Sequence, residues 1–254
     1  MKRLLIIIPA SVLVIACHTA FAATADHSSM FNSLSYSDDL THWSFGADML
    51  LLKRDINPDG GDTEKLKGRM YTLSLGYDVL PWLTMYGHLG QGEAKVGDAE
   101  DYGDGKWCWG IGVDGNLWQF EIIDPQYIAG LFSLKASLSY GQYRSGDSDN
   151  EVKWDEIYAG ILFTYQIEAI ENLFLMPHSL VLSVGPCYSR LSGTLDMLSG
   201  SMDFDAEENW GYTAGADVYL SPNLSMGFHV QGQGSSPING LELSVTDISL
   251  RYRY

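Results

Sequence analysis

The residue types best suited to chemistry here are histidines sharing a strand face with carboxylates. His229 shares a side with Asp217, and His88 with Asp114. A histidine oriented by a carboxylate is a general base, and beside a serine it would hydrolyse an ester or amide. His178-Ser179 offers another combination. No spacing joins nucleophile, base and orienting group in one place, so the simpler reading is interior histidines paired with carboxylates. The cysteines are Cys17, Cys108 and Cys187, and none forms a CxxC or zinc spacing. Cys108 and Cys187 fall on strands that are not neighbours, and no disulfide is assigned to them. Asp147-Ser148-Asp149-Asn150-Glu151 carries hard oxygen donors suited to divalent cations, but it lacks the central glycine of an EF-hand loop. Catalytic, cofactor and metal sites are therefore all expected to be none.

The elements that hold these residues follow from composition and period. The chain has 254 residues, 46% of them hydrophobic, which excludes a disordered polymer. Its net charge of −17 would repel a phosphate backbone and excludes a nucleic-acid binder. Met1-Lys2-Arg3, an apolar run from Leu4 to Ala16, and Ala20-Phe21-Ala22 make residues 1–22 a secretory signal peptide. The rival processing is lipidation at Cys17, since Val14-Ile15-Ala16-Cys17 has the form of a lipobox. A polar lead over 23–39 precedes the main domain, 40–254.

From residue 43 the apolar residues recur at every second position. Trp43, Phe45, Ala47, Met49 and Leu51 alternate with Ser44, Gly46 and Asp48. The same alternation returns at Tyr71–Tyr77, Leu83–Leu89, Trp109–Val113, Phe132–Tyr140, Ile157–Tyr165, Leu180–Val184, Tyr212–Leu220, Leu224–Val230 and Ile248–Tyr254. This makes about ten strands, with 8 or 12 as the alternatives, and phase slips near Leu117–Trp118 and Val245–Thr246 read as bulges. Connections after odd strands (53–65, 92–106, 144–152, 190–208) read as long acidic loops, and those at 79–81 and 221–223 as tight turns. The long loops hold 17 of the 32 acidic residues against seven basic ones, Arg54 among them.

These features favour an all-β, antiparallel, transmembrane up-and-down β-barrel over a soluble sandwich. The polar face is rich in Gly, Ser and Thr, and its isolated charges read as a polar network in the lumen: Asp48, Asp78, His88, Asp114, Lys135, Glu156, Asp217, His229, Arg251 and Arg253. Closure would set Arg251 and Arg253 beside the first strand, near Asp48. Aromatic residues near strand ends, Trp43, Tyr77, Trp109, Tyr140, Trp154 and Trp210 among them, read as interfacial girdles.

The ending Ile248-Ser249-Leu250-Arg251-Tyr252-Arg253-Tyr254 resembles the C-terminal signal of bacterial outer-membrane β-barrel proteins, and 76–90 resembles one of their strand–turn–strand units. The resemblance implies residence in the cell outer membrane after export. It also implies contact with outer-membrane lipids and lipopolysaccharide, and delivery by the barrel assembly machinery through Tyr252 and Tyr254. The expected protein is a monomer of structural or surface-interaction type with limited small-solute diffusion, and divalent cations are candidate partners of its acidic loops. The alternatives are a porin-like cation-selective channel, a rim-located hydrolase of lipid or peptide, and a soluble secreted β-sandwich. Some barrels of this superfamily are hydrolases, but their motifs are not matched here.

Overall fold

The computed structural model describes residues 43–59, 61–97, 99, 101–124, 128–147, 150–168, 179–198, 200–221, 223–233 and 243–254. The signal peptide, the polar lead, Cys17 and His178 lie outside the described residues.

Among the described residues, eleven strands follow one another. They are β1 (Trp43–Pro58), β2 (Glu64–Leu80), β3 (Leu83–Val96), β4 (Lys106–Asp124), β5 (Ile128–Gly146), β6 (Asn150–Glu168), β7 (Ser179–Met197), β8 (Gly200–Ala206), β9 (Trp210–Tyr219), β10 (Leu224–Gln233) and β11 (Leu243–Arg253). Ten of them form an antiparallel barrel in the order β1-β2-β3-β4-β5-β6-β7-β9-β10-β11. It closes through β11 on β1, from Ser44 opposite Arg253 to Leu52 opposite Val245. Closure leaves this ring without a free edge. One end carries the tight β2–β3 and β9–β10 connections and is called here the turn end. The other is the loop end.

Bulges fall where the alternation slips. β4 shifts register against β5 between Asn116 and Trp118. β11 shifts against β10 where Gln231 opposes Val245 and Gly232 opposes Leu243.

A belt of exposed apolar residues surrounds the ten-stranded part, formed by the odd positions of β1 and β2 and their counterparts on every other barrel strand. Aromatic pairs sit at its two ends. Trp43 meets Tyr77 at 4.8 Å near the turn end, and Trp109 meets Tyr140 at 5.8 Å and Tyr188 meets Trp210 at 5.1 Å toward the loop end.

Beyond the belt the strands continue, which corrects the reading of 53–65, 144–152 and 190–208 as loops. β1 and β2 pair as far as Ile56 opposite Glu64, β5 and β6 as far as Gly146 opposite Glu151, and β6 and β7 as far as Asn150 opposite Met197. The reason is an inversion of polarity. Up to Leu51 the apolar residues point outward. From Leu52 they point inward, and Lys53, Asp55 and Asn57 point outward. β2 does the same in reverse, with Leu66, Gly68 and Met70 buried and Lys65, Lys67 and Arg69 outward before Tyr71. A strand that leaves an apolar surroundings for water must turn its apolar face to the interior.

The strand number changes at the same level. β9, β10 and β11 span only 10, 10 and 11 residues, whereas β4 to β7 span 19 each. Above them, among the described residues, β8 alone fills the gap. It pairs β7 from Ser192–Asp205 to Met197–Gly200, and β1 from Ile56–Ala206 to Pro58–Phe204. The chain at 103–105 continues the ring between β3 and β5, with the amide of Gly103 donating to the Ala94 carbonyl and that of Gly146 to the Asp104 carbonyl, both at 2.9 Å. A ten-stranded barrel thus carries an eight-stranded ring at its loop end. Eight strands leave an interior just wide enough for side chains to fill.

Candidate functional site

The upper ring is filled by one apolar core: Leu52, Ile56, Leu66, Met70, Ala94, Cys108, Tyr143, Trp154, Leu191, Leu195, Phe204, Ala206 and Val245. Trp154 is 1% exposed and stacks on Tyr143 with centroids 5.3 Å apart and planes 19° apart. This corrects the placing of Trp154 in an outward girdle. Its neighbours Lys153 and Asp155 are the outward residues, because β6 has already inverted its polarity. Cys108 and Cys187 are both buried free thiols.

Arg54 forms the floor of this core, and sequence reasoning had set it in a loop. It is 3% exposed, inward and fully engaged. Its Nη1 donates to Ser189 Oγ at 3.0 Å, and its Nη2 to the carbonyls of Ser189 at 3.2 Å and Glu208 at 2.7 Å. The Ser189 hydroxyl in turn donates to the Glu156 carboxylate. A buried guanidinium with so many acceptors avoids the cost of an unpaired charge. The signal for it was parity, since Arg54 keeps the even phase of Leu52 and Ile56.

Below Arg54 the lumen is polar. Arg253 lies 3.1 Å from Asp78 on β2, rather than beside Asp48 on β1. Thr84 Oγ1 also donates to Asp78, at 2.5 Å. Arg251 lies 3.9 Å from Asp48. His229 Nε2 meets Asp217 Oδ1 at 3.0 Å. Asp114 accepts from Ser137. Lys135 has Asp217 and Asp114 as its electrostatic partners. His88 stands opposite Gly110 on β4, and Asp114 stands opposite Thr84 at a lower level. The ring of His88 lies on Gly110, that of Tyr86 on Gly112 and that of His229 on Gly215, places where a Cβ would collide with the ring. Arg251 points inward, yet half of its side chain, 51%, is exposed. Among the described residues, the polar lumen continues below the apolar core that fills the loop end.

The chemistry available there is limited. Ser249 Oγ, Asp217 Oδ1 and His229 Nε2 converge over Gly227, while His229 Nδ1 lies against Gly215. A nucleophile–base–orienter relay needs the serine and the carboxylate on opposite ring nitrogens. Here both crowd the same one. Among the described residues, no group of three or more His, Cys, Asp or Glu side chains is arranged to hold a metal ion.

The outer wall of the upper ring is charged and divided. On β6 to β8 the outward residues are Glu151, Lys153, Asp155, Arg190, Asp196, Asp203 and Asp205, five carboxylates against two cations. Lys153 Nζ lies 2.8 Å from both Glu151 and Asp196. Its hydrogen bonds hold both carboxyls below their ordinary range, and Asp196 and Glu151 raise the lysine in return. On β1 to β3 the outward residues beyond the belt are Lys53, Asp55, Lys65, Lys67, Arg69, Glu93 and Lys95, five cations against two carboxylates.

No protein-family model matches the chain, and no curated protein matches it in sequence. Among solved structures it is similar to the transport unit of the autotransporter AIDA-I from Escherichia coli (11% identity, 94% of this chain and 97% of that chain covered, TM-score 0.41). It is also similar to the translocator domain of the autotransporter NalP from Neisseria meningitidis (10% identity, 96% and 97% covered, TM-score 0.35). A third is Ail, the attachment invasion locus protein of Yersinia pestis, in complex with the heparin analogue sucrose octasulfate (14% identity, 85% and 100% covered, TM-score 0.29). The architecture rests on this chain's own pairing, which defines a closed, antiparallel, up-and-down ten-stranded barrel.

Proposed function

We propose that the chain is an integral outer-membrane barrel that does not conduct, and that the wall and rim of its upper ring carry its function in surface interaction or membrane architecture. The apolar core of the upper ring carries this reading. A lumen filled by Trp154, Tyr143, Phe204 and their neighbours offers ions no hydrated path. The limited solute diffusion and the porin-like channel allowed by the alternation both require that path, so neither belongs to this reading. A hydrolase is disfavoured by the crowding of Asp217 and Ser249 on one nitrogen of His229.

Residence in the membrane is supported by the belt. The lipid-facing part of β1, Trp43 to Leu51, has the length a tilted strand needs to cross a bilayer. Orientation follows from the short turns, which would face the periplasm, with the upper ring outside. Export would use residues 1–22. Assembly would use the outward, exposed Tyr252 and Tyr254. A closed ring of ten paired strands supports a monomer.

The test is fractionation of inner and outer membranes followed by gel electrophoresis without and with boiling. An outer-membrane band that changes mobility on boiling is expected. A protein extracted without detergent, with one mobility, refutes the reading.

A further inference from the structure

Resting on the reading of the upper ring as the surface-interaction part of the barrel, we infer that the notch between the tip of the β7–β8 hairpin and the β1–β2 turn binds an extended, basic polypeptide segment with apolar residues at alternate positions.

The end of β1 makes the notch. Pro58 is the last residue of β1 and carries no N–H to continue a ladder. The chain turns there, with the amide of Gly61 donating to the Pro58 carbonyl at 3.1 Å. β8 pairs with β1 only from Ala206 to Phe204, and the amide of Asp59 adds one bond to the Asp203 carbonyl at 2.9 Å. β7 and β8 go on pairing as far as Met197 opposite Gly200. Among the described residues, no strand pairs Gly200 to Met202 on the side of β1. That edge offers backbone donors and acceptors to an extended chain.

The hairpin tip is apolar where it meets water. Leu198 is 83% exposed, Met197 45% and Met202 37%. Met202 stands opposite Leu195 and Met197 opposite Gly200, so the two methionines are diagonal neighbours on one face. That face continues the apolar core beyond Leu195 and Phe204. Lipid does not account for it. The strand from Tyr188, the loop-end girdle residue of β7, to Met197 is about 30 Å long. Even at a tilt of about 45° that is about 20 Å along the bilayer normal, whereas the headgroup layer is about 5–8 Å thick. A polypeptide partner reaches the tip, and methionine side chains adapt to its shape.

Charge identifies the partner. Asp59 and Asp62 on the turn and Asp203 on β8 are exposed at the notch. Among the described residues, none of the three is paired with a cation. The segments of the loop end hold 17 acidic residues against seven basic ones. That excess repels the same tip of a second copy and draws a basic chain. Side chains of an extended segment alternate between faces, as Met202 and Asp203 do on β8. Apolar residues of the partner then meet the two methionines, and its lysine or arginine residues meet Asp203 on the other face.

The experiment uses the full mature barrel in neutral detergent micelles, with detergent alone as the blank. Three labelled synthetic peptides are titrated by fluorescence anisotropy: alternating lysine and valine, alternating lysine and serine, and alternating glutamate and valine. The chains compared are the wild type, Leu198→Ser/Met202→Ser, Asp59→Asn/Asp62→Asn/Asp203→Asn, and Asp155→Asn as a control on the outer wall of β6. Each is run unboiled and boiled to establish that the barrel is closed. The lysine–valine peptide is expected to bind the wild type and Asp155→Asn alike, and each multiple variant about tenfold more weakly. The lysine–serine peptide is expected to bind the wild type about tenfold more weakly than the lysine–valine peptide, and the glutamate–valine peptide not to bind. Should a multiple variant fail to close, Leu198→Ser alone, expected about threefold weaker, carries the same comparison. Equal binding of the lysine–valine peptide by closed variants and wild type overturns the inference. So does equal binding of the lysine–serine peptide, because the loop end would then hold any basic chain. Equal binding of the glutamate–valine peptide overturns it too, because charge would then play no part. These three results leave the membrane reading standing. A wild type that is soluble without detergent and shows one mobility overturns the membrane reading itself, and this inference with it.

Discussion

Trp154 is the sharpest probe of the polarity inversion. If the inward face of β6 stayed polar to its loop end, Trp154 would have no apolar core to fill, and its truncation would cost little. In the structure it is 1% exposed and stacked on Tyr143. A buried tryptophan removes about 150–250 Å² from water. At about 25 cal/mol per Å², that is about 4–6 kcal/mol, and measured truncations of buried aromatic residues to alanine cost about 3–5 kcal/mol. Trp154→Ala is therefore expected to lose about 3–5 kcal/mol in reversible urea unfolding of the barrel in micelles. Arg144→Ala is the matched control. It is exposed, and it lies beside Tyr143 in sequence but on the outer wall. Its change should stay within about 0.5 kcal/mol. A loss below about 1 kcal/mol for Trp154→Ala, or equal losses for both, would refute the inward core and return these strands to loops.

Further expectations concern other parts of the barrel. Arg54→Met should cost about 3–5 kcal/mol, because it strands the Ser189 and Glu208 carbonyls and leaves the Glu156 carboxylate without its cation. Glu156→Gln, which keeps an acceptor for the Ser189 hydroxyl, should cost less, and urea unfolding of both variants checks the order. Cys108 and Cys187 should resist a maleimide reagent in the folded barrel and react once it is boiled, as mass spectrometry would show. Gly112→Val should cost about 1–3 kcal/mol or prevent closure, because its Cβ meets the ring of Tyr86, and the gel shift reads this directly. The carboxyls of Glu151 and Asp196 are held down by Lys153, so their support of the upper ring is complete above the ordinary carboxylate range. It should fade as the pH falls through their lowered values, and Lys153→Gln should flatten this slope in an unfolding-against-pH series.

The belt was legible because its alternation runs unbroken for up to nine residues and has one meaning on every strand. The bulge at Leu117 was legible for the same reason, as a single slip in a regular pattern. Leu51-Leu52 hid the rest. Two adjacent apolar residues end one phase and begin the other, and the Asp, Gly and Lys residues that follow look like a loop when only the outward face is considered. β8 was hidden further, since Phe204 and Ala206 are the only buried side chains in its seven residues. Its role as the strand that replaces three others depends on where β9 to β11 stop, which no local pattern encodes. In the lumen the residues themselves were legible, but their partners were not. Parity sets which charges point inward. Register decides that Arg253 meets Asp78 on β2 rather than Asp48 on β1.

The central claim is that a ten-stranded barrel is sealed by the apolar core of its eight-stranded upper ring. Its most direct test is ion current across a planar bilayer loaded with protein whose unboiled band establishes closure. The account predicts no discrete current steps from the wild type at either polarity. Regular, cation-selective steps from the same preparation would contradict it, because they require a hydrated path through the space that Trp154 and its neighbours fill.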